Sequence, residues 1–123
     1  MTQETENGHP RVVSGINAAI EFAAKDQLAA AIKLLTTLAE EFPKASAVHG
    51  YLAWYLLEDG RHREAIQRSG IAVRLSPESE IASLVHFHAL WKAGEHTDAL
   101  DEMKRFLSIR PSDEYANILK GWE

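Results

Sequence analysis

The six histidines and the carboxylate clusters are the side chains best suited to chemistry in this 123-residue chain. A metal ion needs two or more histidines converging on one point. His86 and His88 are two apart, and on a helix that spacing turns one about 200° from the other. They cannot grip one ion as an i, i+4 pair does. His62 and His96 stand 34 residues apart, and His9 and His49 have no evident ligand partner. The chain has no cysteine, which removes thiol catalysis, disulfide scaffolds and thiolate zinc sites. It contains no Gly-x-Ser-x-Gly, no glycine-rich phosphate loop and no His-Glu-x-x-His. Glu40-Glu41 and the cluster Asp98, Asp101 and Glu102 read as solvated helix faces, the latter offset by Lys104 and Arg105 at helical spacing. The expectation is a protein without enzymatic activity, metal or cofactor, with histidines that pack or face solvent.

Arg61, Arg63, Arg68 and Arg74 gather basic charge, but Glu58, Asp59, Glu64 and Glu78 lie among them and no aromatic residue interleaves to stack on bases. Over the whole chain 13 basic residues face 18 acidic ones, for a net charge of -5. No positive field exists to recruit nucleic acid or anionic lipid, so neither nucleic acid nor membrane is expected as a partner. The apolar stretches Leu28 to Ile32 and Tyr51 to Leu57 are far shorter than the roughly 20 residues that span a bilayer. Residues 1–10 are polar and acidic, unlike an export signal. They are expected to form a flexible leader to one cytoplasmic domain over 11–123, long enough to bury a core without staples.

The elements that would position these side chains are announced by a repeat. Pro43, Pro77 and Pro111 are spaced 34 residues apart, as are Ala31, Ala65 and Ala99, and Gly60 and Gly94 share the same offset. Apolar residues recur at three and four between these markers, as in Leu52, Tyr55 and Leu56 or Leu100, Met103, Phe106 and Leu107. Each period therefore holds two amphipathic helices. The first helix of a pair stops at Gly60 or Gly94, with Asp26 serving at the matching place in the first unit, and a proline follows the second helix.

Helix pairs of 34 residues closed by proline resemble the tetratricopeptide repeat family. In that frame the repeats run 12–45, 46–79 and 80–113, and a C-terminal capping helix occupies 114–123. The second unit places Leu52, Ala53, Leu56, Ala65, Ala72 and Pro77 in phase with the family pattern, and the first places Ala18, Ala19, Phe22, Ala31, Leu35, Leu38 and Pro43. Ser69 departs from it by being polar, and Phe87 and Phe106 by being large where a small residue is usual. Either the last unit is splayed, or these rings fill space that the final short segment leaves. In the family, His62 and His96 occupy a place that commonly carries an aromatic, which implies packing roles.

The resemblance implies an all-α fold: a right-handed superhelical solenoid of three helix-turn-helix pairs plus a short C-terminal helix. The first helix of each pair would line a concave, peptide-binding groove. Its residues would be Ile16, Asn17 and Ile20 in the first unit, Tyr51, Trp54 and Leu57 in the second, and Ile81, Leu84, Val85, His88 and Trp91 in the third, with Gly50, Glu58 and Lys92 also at groove positions. Family members that clamp an acidic C-terminus place cationic and amide side chains where this chain has Ile16, Ile20, Tyr51, Ile81 and Val85. That clamp is absent. The implied partner is a protein or peptide with apolar anchor residues, held by an adaptor or chaperone-like module. The alternative for Trp54 and Trp91 is that they complete the core. The alternative for the molecule is a self-associating scaffold whose groove or C-terminal helix, with Tyr115, Ile118, Leu119 and Trp122, is buried in a homodimer.

Overall fold

The computed structural model describes residues 6–122, and all of its regular structure is helical. Among the described residues these helices follow one another: α1 Pro10–Ala24, α2 Leu28–Glu41, α3 Ser46–Glu58, α4 His62–Leu75, α5 Glu80–Lys92, α6 His96–Leu107 and α7 Asp113–Gly121. The first helices of the three pairs end at Ala24, Glu58 and Lys92, and the second helices begin at Leu28, His62 and His96. Both sets keep a 34-residue offset.

The turns inside the pairs repeat in atomic detail. Asp26, Gly60 and Gly94 take φ of 61°, 79° and 84°. In each turn the next residue's N–H reaches back to a carbonyl five residues earlier: Gln27 to Phe22, Arg61 to Leu56 and Glu95 to Leu90, at 2.8 to 2.9 Å. This is the Schellman closure, which satisfies carbonyls that a helix end leaves open. Glycine suits the left-handed backbone at two of the turns. At the first, aspartate bears the conformation instead.

Three helix starts carry local caps. The His9 ring accepts from Arg11 N, Ser79 Oγ from Ala82 N and Ser112 Oγ from Tyr115 N. At α3 the capping position is Ala45, which has no side chain to offer. An acceptor comes from ahead of α1: Asn7 Oδ1 accepts from Ala47 N, and Glu6 Oε1 accepts from Lys44 N in the loop before the helix, both at 3.1 Å. Of the leader expected over 1–10, residues 1–5 lie outside the described residues. Glu6 and Asn7 are docked at the junction of the first and second repeats, Glu6 on the loop and Asn7 on the first turn of α3.

Helices stack between neighbours along the chain. α3 contacts α1, α2, α4 and α5, which is why it is apolar around nearly its whole circumference. One core cluster joins α1 to α4 through Leu35, Leu38, Val48, Leu52 and Leu56, and a second joins α5, α6 and α7 through Phe87, Met103, Phe106 and Tyr115. Ile66 of α4 packs against both. Phe87 and Phe106 meet the Tyr115 ring at 5.5 and 5.9 Å. The large rings of the third repeat thus fill the space beneath α7. Arg105 holds Glu102 in a bidentate pair and donates to the Pro77 carbonyl, fastening α6 to the loop before α5.

Candidate functional site

Only a narrow face of α3 escapes burial. Ala47, Tyr51, Trp54 and Glu58 recur at intervals of four, three and four, which aligns them as one stripe on a helix. Ile81, Leu84, His88 and Lys92 form the matching stripe on α5. The two stripes border a groove. Its centre is an apolar hollow of about 280 Å³ lined by Gly50, Tyr51, Trp54, Ile81, Leu84 and Val85. Trp54 is 43% exposed and Ile81 65%, whereas Val85 at 2% forms the floor.

The groove is graded from end to end. Beyond Trp54 a smaller hollow of about 180 Å³ is lined by Trp54, Leu57, Glu58, His88 and Lys92, with Leu57 buried at its base. The Trp54 and His88 rings meet edge to face at 6.5 Å. Burial, assisted by the Lys92 charge, holds His88 below the ordinary histidine range, so the ring stays neutral near pH 7. At the opposite end a hollow of about 300 Å³ is lined by Asn7, Ser46, Ser76 and Ser79 among others. There Ser76 donates to Ser46 Oγ at 2.7 Å, and Asn7 Nδ2 donates to the same oxygen at 3.0 Å. The floor is apolar, one rim carries opposite charges and the other carries hydroxyl and amide groups.

The expected groove residues therefore divide. Tyr51, Trp54, Leu57, Ile81, Leu84, Val85 and His88 come together at these hollows. Ile16 packs half-buried on the first core cluster, while Asn17 and Ile20 face solvent from α1, and none of the three lines a hollow named above. Trp91 lines none of these hollows. Its ring stacks on His96 at 4.1 Å, on Trp122 at 5.1 Å and on Phe87 at 5.8 Å. On and just past α7, Tyr115 is fully buried and Ile118 packs on the second core cluster, whereas Leu119 and Trp122 remain 42% and 48% exposed.

Two polar pairs inside the array escape a residue-by-residue reading. Buried Ser69 shares a 2.7 Å hydrogen bond with His86 Nδ1, and buried Ser83 shares one of 2.7 Å with Tyr115 Oη. Burial pushes the Tyr115 phenol up to about 12, so it stays protonated. The polar departure at Ser69 was visible in the sequence, but its partner lies in the next repeat. Asn7 of the groove rim gave no signal, since nothing local ties it to α3. Among the described residues no three His, Asp or Glu side chains gather as a metal site, and no helix is long and apolar enough to cross a membrane.

With this geometry in place, comparisons with known proteins align the chain as follows. A family model described as tetratricopeptide repeat matches residues 16–83. No curated protein matches. Among solved structures, a MamA point mutant is 22% identical with a TM-score of 0.72, covering 89% of this chain and 84% of that one. The second tetratricopeptide domain of Spaghetti (RPAP3), bound to the HSP90 peptide SRMEEVD, is 16% identical with a TM-score of 0.75, covering 88% and 97%. MamA AMB-1 is 25% identical with a TM-score of 0.70, covering 85% of this chain and 58% of its own.

Proposed function

Because this chain belongs to the tetratricopeptide repeat family, we propose that it is a non-enzymatic protein–protein interaction module holding an apolar peptide segment of a partner between α3 and α5. One observation carries this reading: Trp54 and Ile81 stand exposed on either side of an apolar hollow that, among the described residues, is lined by α3 and α5 alone. An exposed tryptophan beside a pocket is the kind of anchor on which binding energy concentrates. The fold neighbour bound to SRMEEVD holds a peptide with three carboxylate side chains. Here the clamp positions are Ile16, Ile20, Tyr51, Ile81 and Val85, which offer no cation or side-chain amide, so an apolar segment is the better match. An adaptor or chaperone-like role follows from that chemistry.

The test is selection of a random dodecapeptide display library on the folded protein. Selected peptides should share apolar anchors, and Trp54→Ala should weaken them by about thirtyfold or more. The same substitution should cost less than about 1 kcal/mol in stability, because the ring is not part of the core. Failure to select any peptide, or undiminished binding by Trp54→Ala, overturns the reading.

A second reading draws on α7. Leu119 on the last helix and Trp122 just past its end are exposed, and a second copy of the chain would cover them in a two-fold dimer.

A further inference from the structure

Gly50 lies in the middle of α3, where glycine weakens a helix relative to alanine. A positive φ or the close approach of a neighbour would account for it, and neither applies. Its φ is not among the positive ones, and a Cβ placed there meets no heavy atom within 4 Å. Gly15 on α1 makes the contrast: a Cβ there would run into the Leu38 side chain, so close helix packing explains that glycine.

A side chain at position 50 would enter the groove where the central hollow meets the serine-lined one, since Gly50 lines both. We propose that Gly50 holds open a subsite that receives one large apolar side chain of the partner peptide, an inference that rests on the interaction-module reading above. The size fits, because an apolar cavity of about 150 Å³ already holds a benzene ring and this one measures about 280 Å³. The walls fit as well. Tyr51, Trp54, Ile81, Leu84 and Val85 would leave a charged or amide side chain stripped of water without a partner. Glu58 and Lys92 carry opposite charges at one end and the other end is uncharged, so the groove has no net charge to match against an ion. The occupant is a peptide segment rather than a second folded copy. A stable interface between folded surfaces uses roughly 20–30 residues a side, and this groove is a slot between two helices with fewer lining residues.

The experiment uses the dodecapeptides selected on the wild-type protein as probes, measured against Gly50→Ala and Gly50→Leu by calorimetry, with thermal unfolding of each variant. Gly50→Ala should raise Tm by about 2–6 °C, because a helix interior gains by losing glycine. It should weaken the selected peptides about tenfold, and Gly50→Leu, whose side chain reaches further into the groove, about a hundredfold. Alanine carries the test alone if the leucine variant does not fold. Peptides that depend on Trp54 but bind every Gly50 variant equally overturn the subsite while leaving the module reading intact. A Gly50→Ala variant that loses stability overturns it too, since the glycine would then answer to packing. Peptides anchored by charged residues overturn the assignment of ligand class. If the wild-type protein selects no peptide, the module reading falls and this inference with it.

Discussion

Histidine is the residue whose environment most clearly separates the folded chain from the unfolded one. His49 donates from Nε2 to the Pro43 carbonyl at 2.9 Å, while its Nδ1 is buried without a partner. His86 is bonded to Ser69, and His88 lies against Trp54. Burial lowers all three from the ordinary value of 6.5. The unfolded chain therefore binds protons that the folded chain refuses, and stability must rise with pH across the interval between the two values. Expressed as an experiment, Tm should be level above about pH 7.5 and fall as the pH drops through 6.5 toward the folded values. Replacing His49 by Gln should flatten part of that fall, and a Tm unchanged between those limits would contradict the burial argument. A second residue-scale prediction concerns Asp26, whose φ of 61° costs an L-residue roughly 1 kcal/mol. Asp26→Gly should stabilise the protein by about 0.5 kcal/mol in urea denaturation, the gain being trimmed by the greater freedom of glycine in the unfolded chain. No gain would mean that the aspartate side chain supports the turn by a local hydrogen bond.

Helices and turns were the part most legible in the sequence. Proline, alanine and glycine at one offset report local requirements: a ring that cannot continue a helix, a small side chain where helices cross, a backbone that turns left. Each is met within a few residues of where it is written, so Gly60, Gly94 and even Asp26 could be placed before any coordinates. What depends on a distant element was not legible. Ala45 gives no hint that Asn7 completes the start of α3 or that Glu6 holds the loop before it. Ser69 reads as an anomaly until His86 is brought beside it. Trp91 has the phase of a groove residue, and only the rings of His96 and Trp122 turn it into part of an aromatic stack. The other expected groove residues of α3 and α5 border the hollows, as the helical spacing of the stripe implies. Ile16, Asn17 and Ile20 of α1 line none of these hollows, which lie between α3 and α5.

At the scale of the molecule, apolar side chains are exposed on α1 at Val13 and Ile20 and after α6 at Ile109, as well as in the α3/α5 groove and on the outer side of α7. The groove and α7 call for different occupants, and mass measurement tells them apart. Light scattering over a wide range of concentration should find a monomer, since Leu119 and Trp122 alone offer little area to hold two folded copies together. A mass that doubles, and that returns to the monomer value in Trp122→Ser, would establish the second reading instead. The ladder of neighbours has a consequence for how the chain reaches this state. The side-chain hydrogen bonds among the described residues bridge at most 40 positions, from Ala47 to Asn7, and each helix finds its main contacts in the next one or two along the chain. Little entropy is lost in closing loops at each step. A helix pair released from synthesis can settle on the pair before it without waiting for any distant part of the sequence.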